Sequence, residues 1–468
     1  MRIAVRPCFL PALLLCSISV ASAQITPETR AKVDTAVAQV LAQTGVPSAS
    51  VGIVMGGRVV MTAAYGDARL TPELKAAPAM KYPVGSISKQ FTATAVLLLA
   101  EDGKLSLDDT VDKFFPELTR SNEVTIRELL SHTSGYEDYA PQDYTIPLWT
   151  KPVKPLDLIH QWAQKPLDFD PGTQWQYSNT NFVLAALIVE KAGGMPYWQF
   201  LETRVLSPLG LKDIINLDTD RNRVEPIGYM RNALGPLRPA QTEGPGWYFG
   251  DASLAMPVAD LLAWDISIMD RKLLKPASYD AFETEVKLKN GKSTGYALGV
   301  EVREHEGHRM IEHSGEVGGY VAENAIYPDD KLAIAVLTNQ EASSAASAIA
   351  RAVAPLLLAT PATPQAADTA KAAAEAQARA ILTGLQAGKL DRSLFTDDCN
   401  FYFSQQAIGD FHSSLMPLGK ITELSERAEK LRGGMTFRAF TIKFSSRSLS
   451  LTTYTMPDGK LEQFLVGP

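Results

Sequence analysis

The chain has 468 residues, 46% of them apolar and 21% charged, with a net charge of −7 at pH 7. This length predicts roughly two to three domains, and the apolar fraction is typical of a globular protein. Nucleic acids favour basic surfaces, so an acidic balance without long charged runs argues against a nucleic-acid partner.

The N-terminus is predicted to be an export signal. Arg2 and Arg6 form a positive start, residues 9–20 are apolar, and Ala21-Ser22-Ala23 is a small-residue cleavage signal, which gives a signal peptide over 1–23. We therefore expect an exported protein, periplasmic or secreted. No other run reaches the ~18 apolar residues that a membrane-spanning helix needs, so no stable membrane anchor is expected. A retained N-terminal anchor is the alternative.

The cysteine content predicts no disulfide. Cys8 and Cys16 lie in the predicted signal peptide, so Cys399 is the only thiol of the mature chain. A lipid anchor on Cys16 is disfavoured, because Leu15 precedes it where a small residue is expected. Stability must therefore come from a large core rather than from cross-links.

Residues 24–360 predict one domain that is β-rich at both ends and helical in the middle. Its predicted helices cover 27–43, 86–101, 125–131, 155–164, 180–192, 196–206, 257–270 and 341–358. Its predicted strands cover 50–55, 58–65, 296–303, 309–313, 320–327 and 332–337. Strands from both ends favour one antiparallel sheet of five or more strands, flanked by helices and joined to a mostly helical lobe. This is an α/β (α+β) fold, and clefts between such parts are common active sites.

A second, smaller domain is predicted at the C-terminus. Residues 361–368 continue a stretch of small residues and proline that is typical of a linker, and 369–468 form a separate α+β unit. Its predicted elements are helices over 369–388 and 404–416, then strands over 436–444, 448–455 and 461–466. This order resembles the cone-shaped ketosteroid-isomerase-like (SnoaL-like) fold. Its role is left open between covering the cleft, dimer contact and ligand binding.

Ser86-Ile87-Ser88-Lys89 is the only Ser-x-x-Lys in the chain, and it lies where an apolar, enclosed helix begins. Three residues make nearly one helical turn, so the Ser86 hydroxyl and the Lys89 amine share a face. Burial lowers the pKa of a lysine, which lets it accept the proton of a serine nucleophile. A helix N-terminus also favours the negative charge of an oxyanion. A surface serine near a surface lysine is the alternative.

Two further motifs carry polar groups suited to catalysis. Tyr177-Ser178-Asn179 precedes an apolar helix, and its phenol could relay a proton while its amide could hold a substrate carbonyl. His313-Ser314-Gly315 is expected to end a strand and lead into Gly318-Gly319, where backbone N–H groups could complete an oxyanion hole. A helix-capping tyrosine and an ordinary strand end are the alternatives.

Together, in this order, the three motifs resemble those of the penicillin-recognising serine hydrolases, and Tyr-x-Asn points to the class C β-lactamase-like branch. The resemblance covers residues 27–360, and the flanking segments 107–112, 126–135 and 169–172 match as well. It implies the following site: Ser86 as the acylated nucleophile, Lys89 and Tyr177 in proton transfer, Asn179, His313, Ser314 and Gly315 in substrate binding, and the backbone N–H groups of Ser86 and Glu316 as the oxyanion hole. No metal or cofactor is implied.

His313 stands where this family often has a lysine. A neutral imidazole attracts a substrate carboxylate weakly, and this variant resembles the esterases and D-amino-acid peptidases of the family. We therefore predict a serine hydrolase for small ester, amide or peptide substrates, with weak β-lactamase activity. A β-lactamase, a D-alanyl-D-alanine carboxypeptidase and a non-catalytic receptor for peptidoglycan fragments or antibiotics are the alternatives. A homo-oligomer is left open.

The remaining polar residues are given lesser roles. His132 is expected to make a structural hydrogen bond at the cleft floor, and His305 and His308 to lie in a turn between strands. Three carboxylates are expected to be solvated and receive no role: Asp67, Asp251 and Glu316.

Overall fold

The structure, a computed structural model, describes residues 25–358, 371–432 and 435–468. The predicted signal peptide with its cleavage site and the predicted linker lie outside these residues. None of the helices within the described ranges combines the length and the apolar character that crossing a bilayer demands.

The first elements form the start of the sheet and a central helix. They are α1 (Pro27–Thr44), β1 (Ser48–Met55), β2 (Arg58–Leu70), β3 (Glu73–Lys75), β4 (Tyr82–Pro83) and α2 (Ser88–Glu101). The Thr26 hydroxyl caps α1 by accepting the N–H of Thr29, and Gly45 ends this helix in the left-handed conformation. Every residue of α2 from Ser88 to Leu99 is buried, which its apolar sequence predicts.

A helical lobe follows, with short strands between its helices. Its helices are α3 (Ile126–Leu130), α4 (Pro155–Trp162), α5 (Asn179–Gly193), α6 (Tyr197–Leu201), α7 (Ser207–Leu209), α8 (Leu217–Asp220), α9 (Val258–Met269) and α10 (Pro276–Glu283). Its strands are β5 (Ile215–Asn216), β6 (Tyr229–Met230), β7 (Arg238–Pro239) and β8 (Leu254–Met256). Because α2 and α5 are both apolar all round, they pack against each other in the core. This packing brings the motifs at their N-terminal ends together.

The chain then returns to the main sheet. The later elements are β9 (Glu301–His305), β10 (His308–Val317), β11 (Tyr320–Tyr327), β12 (Leu332–Thr338) and α11 (Ala345–Val353). Seven strands pair in the order β3-β2-β1-β12-β11-β10-β9, and every pair is antiparallel. Helices α1 and α11 cover one face, and α9 packs against β1 and β12. The predicted antiparallel sheet built from both ends of the domain is confirmed.

Two predicted strand boundaries in this sheet are wrong. Residues 296–303 were expected to form one strand, but β9 begins only at Glu301, because Gly295 and Gly299 take positive φ angles of 67° and 80° and turn the chain. The expected strand end at His313-Ser314-Gly315 lies instead inside β10, which runs on to Val317 and pairs with β11 at all three motif residues.

The C-terminal residues form a separate unit with its own core. Its elements are α12 (Lys371–Gln386), α13 (Asp397–Tyr402), α14 (Gln405–Leu415), β13 (Glu423–Arg432), β14 (Met435–Lys443), β15 (Ser448–Thr455) and β16 (Leu461–Gly467). The four strands form an antiparallel meander in chain order. Sequence reasoning missed α13 and β13. The order of helices before sheet agrees with the expected α+β unit, and its SnoaL-like identity stays a prediction.

This unit packs directly against the first domain. The Gln142 amide donates to the Glu462 carboxylate at 2.6 Å, and the Tyr144 hydroxyl donates to the Glu462 backbone oxygen at 2.8 Å. The Gln463 amide donates to the Asp143 carboxylate at 2.9 Å. These bonds hold β16 against residues 142–144 and place the C-terminal sheet beside the cleft.

Candidate active site

The first pair of site residues lies at the start of α2. Ser86 occupies a 3₁₀ turn, Gly85–Ile87, directly before the helix, and Lys89 lies in the first helical turn. The Lys89 Nζ donates a hydrogen bond to the Ser86 Oγ at 2.9 Å. Burial lowers the pKa of Lys89 to about 8, although the Asp251 carboxylate opposes this shift. A lysine whose pKa is close to neutral can exchange a proton with serine.

Lys89 has further partners, one of which the sequence did not reveal. Its Nζ donates to the Asn179 Oδ1 at 2.7 Å and to the Asp251 backbone oxygen at 3.1 Å. The Asp251 carboxylate lies 3.9 Å away, is 3% exposed, and has a pKa that burial raises to about 7. Asp251 was expected to be solvated, and this expectation is wrong. No motif marks it, because it reaches the site from a loop before β8.

Tyr177 brings a phenol to the same serine. Tyr177 and Ser86 line the same cavity, and burial raises the pKa of the phenol, an effect that the Arg432 charge and the nearby Ser86 side chain oppose. The Lys89 Nζ lies 4.9 Å from the centroid of the Tyr177 ring. The Ser86 hydroxyl therefore bonds the amine and lies beside the phenol that the sequence singled out, although the three residues come from two distant segments.

The turn that holds Ser86 runs very close to β10. A Cβ on Gly315 would lie 1.9 Å from the Val84 backbone oxygen and 3.0 Å from the Ser86 nitrogen. A Cβ on Gly85 would lie 2.5 Å from the Glu316 nitrogen. Glycine at both positions therefore lets the two backbones approach each other. Two N–H groups beside one hydroxyl are what an oxyanion hole requires.

His313 lies on β10 beside the serine and is 3% exposed. Its Nδ1 lies 2.5 Å from the Ser314 backbone oxygen, and its Nε2 lies 2.8 Å from the Tyr296 hydroxyl. Because a carbonyl only accepts, Nδ1 carries the proton and Nε2 accepts from Tyr296. Burial, reinforced by Lys89, lowers the pKa of His313 to about 3, so the ring is neutral at pH 7.

His132 makes the structural contact expected of it. Its ring lies 4.2 Å from the Tyr177 ring, measured between centroids, and its Nδ1 accepts the Ser178 N–H at 3.2 Å. Burial lowers its pKa well below the usual value. His132 therefore supports the segment that carries Tyr177. His305 and His308 lie on either side of the β9–β10 turn, as expected.

Part of this site lines a cavity of about 250 Å³ that the C-terminal unit closes on one side. The first domain contributes Ser86, Tyr177 and His313 to its wall. The C-terminal sheet contributes the following side chains: Lys430, Arg432, Phe437 and Tyr454. Sequence reasoning missed these four, because they form no motif and approach the serine only through the packing of the two domains.

Carboxylates outnumber cations in the wall of this cavity. The acidic lining residues are Asp143, Glu243, Asp251, Glu301, Glu316 and Glu341, and the basic ones are Lys430 and Arg432. Glu316 was expected to be solvated, but its Oε1 accepts the Ala342 N–H at 2.6 Å and its pKa is raised by burial. Asp67, in contrast, is partly exposed and pairs with Lys75. Burial also raises the pKa of Glu341 to about 8, so several of these carboxyl groups are partly or wholly protonated at pH 7.

Comparison with known proteins gives a family and a fold. Residues 33–358 match the Beta-lactamase family model. Penicillin-binding protein 4* of Bacillus subtilis (strain 168) is 29% identical over 61% of this chain and 66% of its own length. The chain thus spans just under two thirds of that relative.

Two solved structures are also similar to this chain. A D-stereospecific amidohydrolase from Streptomyces sp. is 27% identical, with a TM-score of 0.59 over 69% of this chain and 97% of that one. An octameric penicillin-binding protein homologue from Pyrococcus abyssi is 22% identical, with a TM-score of 0.61 over 93% of this chain and 99% of that one. The second similarity therefore extends into the C-terminal unit.

Proposed function

The chain belongs to the β-lactamase family of serine hydrolases, and from this premise we propose that it cleaves ester or amide bonds of small substrates through an acyl-enzyme on Ser86. The observation that carries the proposal is the Ser86 hydroxyl bonded to a desolvated lysine whose amine also lies over the Tyr177 ring. A group with a pKa near 8, such as that of Lys89, is suited to general-base catalysis near neutral pH.

In the proposed mechanism, the Ser86 Oγ attacks the substrate carbonyl carbon while its proton passes to neutral Lys89, directly or through the Tyr177 oxygen. The carbonyl oxygen becomes negative and accepts hydrogen bonds from the Ser86 and Glu316 N–H groups. The intermediate then expels the alcohol or amine, which takes the proton back from the lysine and phenol pair. Water attacks the resulting acyl ester by the same route, releasing a carboxylic acid and restoring the serine.

Asn179 and His313 are proposed to orient the substrate. The Asn179 side chain already binds Lys89 through its Oδ1, so it positions the base as well as the acyl group. Ser314 is exposed on β10, beside the strand edge where the substrate would lie.

The charges of the cavity favour substrates that are not carboxylates. His313 is neutral at pH 7, so it offers no positive charge to the carboxylate that β-lactams and D-alanyl termini carry. Of the two cations in the lining, Arg432 is paired with Asp138 and Asp143. We therefore propose neutral esters and D-amino-acid amides as preferred substrates. The similarity to the D-stereospecific amidohydrolase from Streptomyces sp. also favours the amides.

A substrate panel tests this proposal. We expect p-nitrophenyl butyrate or D-phenylalanine p-nitroanilide to give a kcat/KM at least about a hundredfold above that of nitrocefin, which is about 3 kcal/mol of discrimination. Turnover of nitrocefin as fast as of the ester would contradict the preference. Digestion of muropeptides with release of D-alanine would favour the carboxypeptidase alternative, and binding without any turnover would favour the receptor.

We also propose that the chain is exported and that its signal peptide is removed before Gln24. N-terminal sequencing of the secreted protein should find Gln24 as the first residue, and a chain that still carries Met1 would contradict cleavage. Whether the chain forms a homo-oligomer is left open, and light scattering would determine it.

A further inference from the structure

Arg432 of the C-terminal unit reaches Tyr177 in the catalytic network. It is the last residue of β13, its side chain is 18% exposed, and its backbone forms a parallel β-bridge with Tyr177. The sequence contains nothing that links this strand to the Ser-x-x-Lys motif. The contact arises only because the two domains pack together.

The guanidinium group of Arg432 is held on three of its nitrogens. Its Nε donates to the Asp138 Oδ2 at 3.1 Å, and its Nη2 donates to the Ala140 backbone oxygen at 2.9 Å. Its Nη1 donates to the Tyr454 hydroxyl at 2.8 Å and lies 3.4 Å from the Asp143 Oδ1. A planar group with this many partners has one orientation.

That orientation places the cation against the Tyr177 ring. The central carbon of the guanidinium lies 5.1 Å from the ring centroid, within the range of a cation–π contact. The positive charge opposes the effect of burial on the Tyr177 pKa and adds to the lowering of the Lys89 pKa. Both effects favour the deprotonated forms of Tyr177 and Lys89, which can accept a proton from Ser86.

A second path leads from Arg432 to the lysine through Asp138. The Asp138 side chain is fully buried, and its Oδ1 accepts the backbone N–H of Asn179 at 2.9 Å. The Asn179 Oδ1 in turn accepts from the Lys89 Nζ at 2.7 Å. Without Arg432, Asp138 would lose its countercharge in a buried place, and the bonds that orient Asn179 would be disturbed.

We propose that Arg432 is a positioning residue, supplied by the C-terminal unit, that orients Tyr177 and Asn179 and places a fixed positive charge beside the proton-transfer groups. The first domain then contains the reacting atoms, but its site is complete only when β13 is in place. This inference rests on the proposed function.

The test uses the full-length chain and two substitutions. Arg432→Met removes both the charge and the planar fork, and we expect kcat on p-nitrophenyl butyrate to fall about tenfold to a hundredfold, since small misplacements of reacting groups cost this much. The acidic limb of the pH profile of kcat/KM should also move to higher pH, because the charge that lowers the pKa is gone. Arg432→Lys keeps the charge, so it should lower kcat while leaving the limb in place.

Arg427→Lys is the matched control, because Arg427 is an exposed residue of the same strand whose Nε bonds Thr441. A folded Arg432→Met protein with the wild-type pH limb would overturn the inference, even if kcat fell. If Arg432→Met does not fold, kcat of Arg432→Lys decides: a value within twofold of that of Arg427→Lys overturns the proposal, and a larger loss supports it. Either of these results would overturn the inference about Arg432 while the wild-type enzyme still hydrolyses p-nitrophenyl butyrate. If the proposed function itself is wrong, the wild-type enzyme does not hydrolyse this ester.

Discussion

Two cations face the same tyrosine ring from two different domains. The Lys89 Nζ lies 4.9 Å from the Tyr177 ring centroid, and the Arg432 guanidinium carbon lies 5.1 Å from it. The Asp251 carboxylate lies 3.9 Å from the Lys89 Nζ, and burial lowers the pKa of Lys89 to about 8. Arg432 has carboxylates at 3.1 and 3.4 Å and, as an arginine, stays charged.

The difference shows how one site can combine a proton carrier with a fixed charge. A lysine held by neutral acceptors and a distant carboxylate can lose its proton. An arginine held by two carboxylates cannot, so it shapes the electrostatics without taking part in proton transfer. The following predictions remove or enhance this difference, from the largest effect to the smallest.

Lys89→Arg would make both cations permanent. An arginine cannot accept the Ser86 proton, so kcat/KM should fall about a hundredfold to ten-thousandfold, the usual contribution of general acid–base catalysis. Steady-state kinetics on p-nitrophenyl butyrate measures this loss. Lys113→Arg, at an exposed lysine paired with Asp109, should change nothing, and an active Lys89→Arg enzyme would exclude the lysine as base.

Asp251→Asn should increase the difference between the titratable Lys89 and the permanently charged Arg432, because it removes a carboxylate that raises the pKa of Lys89. In the wild type, kcat/KM should rise with pH through about 8, because Lys89 must be neutral to accept a proton. Without the Asp251 charge the Lys89 pKa falls further, so this acidic limb should move to lower pH. A pH profile of each enzyme measures the shift, with Asp67→Asn, at a partly exposed carboxylate far along the sheet from this cavity's lining, as the control. A shift of the limb to higher pH would contradict the predicted direction.

Gln463→Ala should have the smallest effect, because it loosens the domain contact without touching the reacting groups. The Gln463 amide donates to the Asp143 Oδ2 at 2.9 Å, and its oxygen accepts the Asp143 N–H at 2.6 Å. Loss of these buried bonds should lower the free energy of unfolding by about 1–3 kcal/mol. Urea denaturation measures this change against Gln405→Ala, an exposed glutamine; equal midpoints for the two variants would argue against a stabilising contact.

Much of the fold follows from local patterns in the sequence. The apolar character of α2 and α5 predicted two buried helices, and packing them together accounts for the meeting of Ser86 with Tyr177. The strands at both ends of the first domain predicted a shared sheet, and the pairing of β1 with β12 confirms it. Signals of this kind work because they arise from the burial of apolar faces.

Other parts of the site had no local signal. Most side chains of β13 are exposed and polar, so neither alternation nor apolar content marked it as a strand. Arg432 and Asp251 are charged residues in unremarkable surroundings along the chain, and a charged residue is solvated in most proteins. Arg432 gains its partners only where the two domains pack around Tyr177, and Asp251 gains Lys89 and Tyr139 only when the first domain folds.

The most direct test of the account is to locate the acylated residue. After reaction with a fluorophosphonate, peptide mass spectrometry should find one adduct, on Ser86, in the wild type and in Ser314→Ala, whose substitution removes the exposed serine of the same cleft. Ser86→Ala should carry no adduct and show no turnover of p-nitrophenyl butyrate. An adduct on another residue, or a Ser86→Ala protein that still hydrolyses the ester at the wild-type rate, would contradict the account.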